Sequence, residues 1–152
     1  MDLIQSEIEG VKLTQLKQIA DNRGSVLHML RSDSPDFVNF GECYFSEVLC
    51  GATKAWKKHK IQTQNIAVPI GKIIIVIYDC REKSKTKGKL QILELGRPDA
   101  YQRVTIPPQV WYGFKCISSC PALLVNCADH PHSPLESEIL DLSDSSIPYF
   151  WV

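Results

Sequence analysis

The segment QTQNIAVPIGKIIIVIYD, residues 62–79, decides the fold class. Its two halves, 62–68 and 72–79, are rich in β-branched residues, which pack well on the pleated surface of a sheet. Between the halves, Pro69 presets one backbone dihedral angle and Gly71 lets the chain turn back, so a tight turn is expected. The segment therefore predicts two strands joined in a hairpin.

Similar short runs recur on both sides of this segment at a spacing of roughly ten residues, which is typical of an all-β sandwich or barrel. Further strands are predicted at 25–31, 43–50, 53–58, 90–95, 102–106, 113–116 and 122–127. The segment 11–20 has apolar residues at partly helical spacing, but its first residues fit an edge strand equally well. We expect a single all-β domain over 1–152, with that one segment either a helix or a strand.

Composition and charge restrict the possible partners. The chain has 152 residues, of which 44% are hydrophobic, and its 17 Lys and Arg balance 17 Asp and Glu. A chain with zero net charge has no broad positive electrostatic field to attract nucleic acid or an anionic bilayer. The chain begins without an apolar leader, and its longest apolar run, 73–78, is far shorter than the roughly 20 residues of a membrane helix. We expect a cytoplasmic protein without nucleic-acid or membrane partners, whose six cysteines are free thiols.

The densest positive charge lies in Lys54-Ala55-Trp56-Lys57-Lys58-His59-Lys60. Alternate side chains of a strand share a face, so Lys57 and His59 point one way and Trp56 points the other. If the first pair faces the inside of a barrel, it supplies a titratable imidazole beside a cation. The alternative is a solvated basic strand with a surface histidine, and the pattern alone leaves both possibilities open.

A second informative stretch is IPPQVWYGF, residues 106–114. Its two prolines end a strand in an extended turn, and Trp111 and Tyr112 follow. Large aromatic side chains with polar tips suit stacking on a sugar or a base, and they suit a hydrophobic core equally well. The stretch is therefore a candidate rim for a ligand site.

Six fragments occur in order along the chain. They are Asp21-Asn22-Arg23-Gly24, the lysine-rich strand ending at His59, Gly71 through Arg81 with Ser84 and Gly88, Ile106-Pro107-Pro108 through Phe114, Glu136-Ser137-Glu138, and Ile147-Pro148-Tyr149-Phe150-Trp151. Together they resemble the dTDP-4-dehydrorhamnose 3,5-epimerase family of RmlC-like cupins, from about Asp21 to Trp151. The resemblance implies a double-stranded β-helix (jelly-roll) barrel, usually a homodimer, that holds a nucleotide-linked 4-keto sugar in the barrel mouth.

In that family a base removes the proton next to the ketone, and a proton returns from the opposite face. The resemblance places His59 at the position of the base, and histidine has a suitable pKa near neutrality. It places Arg23 at a position that binds the nucleotide sugar, often across the subunit interface. We expect His59 and Tyr112 to be catalytic. The expected substrate-binding residues are Arg23, Lys54, Trp56, Lys57, Gln62, Gln64 and Trp111.

Several positions depart from the family pattern. Gln64 stands where the family has a lysine that stabilises the enolate, and Tyr112 stands where it has a second histidine. The segment 123–128 lacks the tyrosine that acts as general acid. Candidate substitutes for that tyrosine are Tyr112, Tyr44 and Tyr78. The chain also ends before the aspartate that pairs with the base, and the candidate substitutes for it are Asp129, Asp141, Asp144 and Glu47.

Metal-binding cupins present two histidines, an acid and a third histidine at positions that here hold His59, Ile61, Gln64 and Tyr112. Only one ligand remains, so we expect neither a metal nor a cofactor. The favoured function is proton transfer next to the ketone of a dTDP-4-keto-6-deoxyhexose, by an epimerase or ketoisomerase of deoxysugar and cell-surface lipopolysaccharide synthesis. The alternatives are a degenerate cupin that binds a nucleotide sugar or a partner without turnover, and a structural dimer with a filled barrel.

Overall fold

The computed structural model describes residues 3–4 and 7–152, and this part of the chain forms thirteen strands and no helix. The strands are β1 Leu3–Ile4, β2 Lys12–Gln15, β3 Gln18–Asp21, β4 Gly24–Leu27, β5 Glu42–Val48, β6 Thr53–His59, β7 Gln64–Ile70, β8 Lys72–Tyr78, β9 Leu90–Gly96, β10 Gln102–Ile106, β11 Trp111–Cys116, β12 Ala122–Ala128 and β13 Ser137–Ile139. The expected all-β fold is confirmed.

Two antiparallel sheets form the barrel. Sheet 1 has the order β1-β2-β10-β7-β12-β5, and sheet 2 has the order β13-β6-β11-β8-β9. From β5 to β13 the chain alternates between the sheets at every step except from β8 to β9, which is the connectivity of a jelly roll. The inward faces of both sheets supply a continuous apolar core that includes Ile66, Val68, Ile73, Ile75, Val104 and Leu124.

The hairpin predicted around Pro69 and Gly71 is wrong, because β7 and β8 lie in different sheets. β7 pairs with β10 and β12, and β8 pairs with β9 and β11. Gly71 turns the corner between them at φ +75°, and a Cβ there would lie 2.7 Å from the Cα of Ala122. The strands separate because Ile66 of β7 and Ile75 of β8 bury their side chains from opposite walls of the same core.

The segment 11–20 forms strands, so the helical alternative is wrong. β2 pairs with β1 and β10, and Leu13 lies beside Val104 in the register. β3 pairs with β4 alone, in a two-stranded ribbon whose tip carries Arg23. The predicted strand 25–31 is correspondingly shorter, since β4 ends at Leu27.

All six cysteines are free, as expected. Within the described residues, no helix has the length and apolar character needed to cross a membrane.

A buried ion pair ties the loop after β4 to sheet 1. The Arg103 guanidinium of β10 is fully buried, pairs with Asp36 and donates a 2.6 Å hydrogen bond to the carbonyl oxygen of Met29. Burial alone would raise the pKa of Asp36, but hydrogen bonds from Ser34 and Arg103 hold it below its usual value. The loop is thus fastened by a charge that has no access to water.

Asp36→Ala is expected to lower the free energy of unfolding by about 3–5 kcal/mol, because it leaves the buried Arg103 charge unpaired. Asp33→Ala is the matched control, since Asp33 pairs with Arg31 at an exposed site where ion pairs contribute little. Urea denaturation of both variants measures the difference. Equal midpoints for the two variants would contradict this role of the buried pair.

Candidate active site

A cavity of about 410 Å³ opens between the two sheets. This volume lies in the range of small-molecule sites. Sheet 1 contributes Tyr44, Ser46, Ile66, Leu124 and Asn126, and sheet 2 contributes Lys54, Ala55, Trp56, Lys57, Tyr112, Phe114 and Ile139. The barrel is therefore not packed solid, and polar and charged groups from both walls meet in its interior.

A bulge in β6 brings two lysines to the same wall. Tyr112 of β11 is opposite Lys57, but Phe114, two residues further on, is opposite Lys54, three residues back. One extra residue on β6 keeps Lys54 and Lys57 on one face, where strict alternation would separate them. The Lys54 ammonium donates a 2.9 Å hydrogen bond to the Ser46 hydroxyl of the facing sheet.

The other two lysines of the basic run lie elsewhere. Lys58 forms a 2.9 Å ion pair with Glu138, and its ammonium is 5.0 Å from the ring centroid of Trp111. Lys60 is exposed. Two cations, rather than four, are therefore available in the cavity wall.

His59 forms the centre of a buried polar triad. Its side chain is buried, its Nδ1 is 2.7 Å from Oε2 of Glu136, and its Nε2 is 3.0 Å from the Tyr112 hydroxyl. The second carboxylate oxygen of Glu136 accepts hydrogen bonds from the backbone N–H groups of Ile61 and Gln62. Pairing of β13 with β6 delivers Glu136, because the next residue, Ser137, is in register with His59.

The protonation states of the triad follow from burial and charge. Burial lowers the pKa of His59, against the effect of Glu136, and Lys57 lowers it further. Burial by itself would raise the pKa of Glu136, but its hydrogen bonds from His59, Gln62 and Ile61 hold that pKa below the usual value. Glu136 is therefore a carboxylate and accepts a hydrogen bond from Nδ1–H of a neutral imidazole. Nε2 is then free of hydrogen and accepts a hydrogen bond from Tyr112.

The carboxylate partners suggested by the sequence were wrong. The structure places Glu136 at Nδ1 of His59. Asp129 instead accepts a hydrogen bond from the Thr63 backbone N–H and one from His130. Of the other three candidates, Glu47 and Asp141 are exposed, and Asp144 accepts hydrogen bonds from Ser146. Glu136 stood in a fragment that carried the family resemblance, but its role depends on pairing between strands 77 residues apart.

Gln62 and Gln64 are buried in a row of amides behind the cavity wall. Gln62 donates to the carbonyl oxygen of His130, Gln64 donates to Gln62, and Asn126 donates to Gln64 at 2.5 Å. Asn126, which sequence reasoning missed, lines the cavity and also donates a 2.9 Å hydrogen bond to the Tyr44 hydroxyl. The glutamines thus hold Asn126 in place by hydrogen bonds, whereas Asn126 and Tyr44 line the cavity.

The remaining predicted residues are spread over the molecule. Trp111 packs on the outer face of sheet 2 in an aromatic cluster with Trp56, whose ring is 5.1 Å from that of Trp151. Trp56 also borders the cavity. Tyr78 packs against the same outer cluster. Arg23 is exposed at the ribbon tip, pairs with Asp21 at 2.6 Å and is not part of the cavity lining of its own chain.

Across the described ranges 3–4 and 7–152, no group of three or more His, Cys, Asp or Glu side chains comes together as a metal site. His130 and His132, the other histidines near the site in the sequence, lie in an exposed loop.

The family model described as dTDP-4-dehydrorhamnose 3,5-epimerase matches residues 5–152. The chain belongs to this family. A probable low-salt glycan biosynthesis epimerase, Agl13 of Haloferax volcanii, is 33% identical over 93% of this chain and 88% of its own. The spore coat polysaccharide biosynthesis protein SpsL of Bacillus subtilis is 30% identical over 95% of this chain and 96% of its own. The crystal structure of a dTDP sugar isomerase from Desulfovibrio desulfuricans has 52% identity and a TM-score of 0.94, covering 99% of this chain and 94% of that chain.

Membership of the 3,5-epimerase family identifies the jelly roll as an RmlC-like cupin fold and the chain as a dTDP-sugar epimerase or isomerase type of protein. The family pattern predicted a base with a carboxylate partner. Glu136 lies at Nδ1 of His59, the residue expected to be the base, and is a glutamate where the family pattern has an aspartate.

The pKa of His59 is expected to lie below 6.5 in an NMR titration, because burial disfavours the imidazolium. Glu136→Gln is expected to lower it further, since the attraction of the carboxylate is lost. Nitrogen-15 shifts should show hydrogen on Nδ1 in the parent protein. They should show it on Nε2 in the variant, because the Gln carbonyl stays with the backbone N–H groups and its NH₂ faces the ring. A pKa above 6.5, or an unchanged tautomer in Glu136→Gln, would contradict this assignment.

Proposed function

We propose that the protein is an enzyme that epimerises a dTDP-linked 4-keto-6-deoxyhexose by proton transfer next to the keto group. The observation that carries the proposal is the Glu136–His59–Tyr112 triad at the wall of a sugar-sized cavity. A neutral histidine held by an ionised carboxylate is a base suited to neutral pH. No metal takes part in the proposed reaction, because the charge changes fall on this triad and on the lysines of the wall.

The hydroxyl of Tyr112 connects the base to the substrate. Tyr112 lines the cavity, whereas His59 lies behind it and is not part of the lining. In the proposed step the C–H bond next to the ketone breaks, and its proton passes to the Tyr112 oxygen while the Tyr112 proton passes to Nε2 of His59. The electron pair of the C–H bond forms the enolate, and Glu136 stabilises the imidazolium.

Two lysines provide the positive charge that the reaction needs. Gln64, at the position of the family's enolate-binding lysine, is tied into the amide row and is not part of the cavity lining. Lys57 lies next to the base and its charge acts on His59, so we assign it to the enolate oxygen. Lys54 is more exposed and is assigned to the diphosphate.

The names of the relatives support a role in glycan synthesis. One relative is a probable epimerase of low-salt glycan biosynthesis, and another is a protein of spore coat polysaccharide biosynthesis. We therefore propose that this enzyme acts in the cytoplasm on a nucleotide-linked precursor of a cell-surface polysaccharide.

The direct test is uptake of solvent deuterium into dTDP-4-keto-6-deoxyglucose, followed by proton NMR. The parent protein should exchange the hydrogens next to the ketone and form the epimer. His59→Ala and Tyr112→Phe should abolish exchange, and Glu136→Gln should slow it on the order of 10³–10⁴-fold because the tautomer is wrong. His132→Ala, in the exposed loop, is the control. Calorimetric binding of the dTDP-sugar without any exchange would favour the degenerate binder instead.

We further propose a homodimer in which Arg23 serves the cavity of the partner subunit. The β3–β4 ribbon pairs with no other strand of the described chain, and it exposes Ile19 and Val26 at 55% and 61%. A second copy would cover these apolar side chains and receive Arg23, which faces solvent in its own subunit.

Subunit mixing tests this arrangement. Arg23→Ala and His59→Ala homodimers should each be inactive or weakly active, whereas a mixed dimer has one cavity with both native residues. Unfolding and refolding an equal mixture should restore up to about a quarter of the parent activity, by random pairing of two subunits. Sedimentation analysis verifies that dimers form. A mixture no more active than its components would contradict the shared site.

A further inference from the structure

In the row of amides behind the cavity, two backbone groups determine which side chain donates and which accepts each hydrogen bond. At one end the His130 carbonyl can only accept, so Gln62 turns its NH₂ group towards it. The oxygen of Gln62 then faces Gln64, which must donate, and the oxygen of Gln64 faces Asn126, which must donate in turn. At the other end the backbone N–H of Asn65 donates to the oxygen of Asn126, at 3.3 Å. Both ends therefore require the same orientation of Asn126.

This orientation makes the Tyr44 hydroxyl a hydrogen-bond acceptor towards Asn126. The Asn126 NH₂ group has two hydrogens, of which one goes to Gln64 and the other to the Tyr44 oxygen at 2.9 Å. Among the described residues, Asn126 is the hydrogen-bond partner of that hydroxyl. The Tyr44 proton is consequently not used in the protein and is available to a ligand, since the ring lines the cavity.

The Tyr112 hydroxyl, on the facing wall, is a hydrogen-bond donor within the protein, unlike that of Tyr44. Tyr112 of sheet 2 donates its proton to Nε2 of His59, so its oxygen presents lone pairs to the cavity. Tyr44 belongs to β5 of sheet 1. One wall is thus prepared to take a proton and the facing wall is prepared to give one.

We propose that Tyr44 is the general acid that delivers a proton to the enolate on the face opposite the base. This inference rests on the proposed function and names the residue that protonates the enolate in the second step of the reaction. The Tyr44 O–H bond breaks, and its proton bonds to the carbon through the electron pair of the enolate, which inverts the centre. The resulting phenolate accepts the hydrogen bond of Asn126 and takes a proton from water. The imidazolium of His59 returns its proton to water through the Tyr112 hydroxyl, so the cycle is balanced without another reactant.

Exposure and local polarity agree with this role. Tyr44 is 38% exposed, so water can reach the phenolate after each turnover. Burial raises the pKa of Tyr44 although the hydrogen bond from Asn126 opposes the rise, and the phenol therefore holds its proton until the enolate forms. Tyr78, the other candidate from the sequence, packs on the outer face of sheet 2 and is not part of the lining.

Tyr44→Phe separates the two halves of the reaction. In heavy water the variant should still exchange the hydrogen next to the ketone, with retained configuration, because the base wall is intact. Formation of the epimer should fall at least 100-fold, the lower end of what a positioned acid contributes. Asn126→Asp should reproduce this pattern, since the carboxylate would accept the Tyr44 proton. Tyr78→Phe is the matched control and should exchange and epimerise like the parent protein.

The outcomes are distinguishable by following exchange and epimer formation together. Epimerisation by Tyr44→Phe at close to the parent rate would overturn the inference while leaving the proposed function standing. Equal loss of exchange and epimerisation would also overturn it, because Tyr44 would then act on binding or on the base. A parent protein that exchanges without epimerising would overturn the inference, because no proton would then be delivered to the opposite face. A parent protein that does neither would overturn the proposed function and this inference with it.

Discussion

The bond between Glu136 and His59 is the interaction on which the chemistry of the cavity depends. The carboxylate is held by two backbone N–H groups, and its other oxygen holds Nδ1–H of the imidazole. This bond sets the tautomer, and the tautomer in turn makes Nε2 an acceptor for the Tyr112 hydroxyl. The short strand β13 joins sheet 2 by pairing with β6, and this pairing brings Glu136 to His59, the proposed base.

The cavity is organised by hydrogen-bond direction as much as by shape. On sheet 2 an acceptor, Nε2 of His59, draws the proton of Tyr112 away from the cavity. On sheet 1 a donor, Asn126, leaves the proton of Tyr44 pointing towards it. For a centre to invert, the carbon next to the ketone must lose its proton from one face and the enolate must gain a proton on the opposite face. Two facing walls, one that accepts a proton and one that donates a proton, therefore suit epimerisation. Burial raises the pKa of both phenols and keeps them protonated in the resting site.

Local patterns in the sequence predicted features that depend on neighbouring residues. Strand alternation placed Lys57 and His59 on one face, because that rule depends only on parity, but it left open whether this face is inside the barrel, and the structure shows His59 buried. Strand alternation does not predict that Lys54 and Lys57 share a face, because the bulge in β6 inserts one extra residue between them. The turn at Gly71 was recognised, but which sheets it joins depends on long-range pairing. Glu136 was missed for the same reason, and the family resemblance indicated a carboxylate without locating it.

The pH dependence of deuterium uptake tests the central claim that a neutral, carboxylate-bound His59 is the base. Uptake by the parent protein should fall as the pH decreases through a pKa below the ordinary histidine value, because the imidazolium cannot accept a proton. The midpoint should equal the His59 pKa from NMR titration of the same sample. A midpoint that differs from the His59 titration, or the same pH profile with full activity in His59→Ala, would contradict the account.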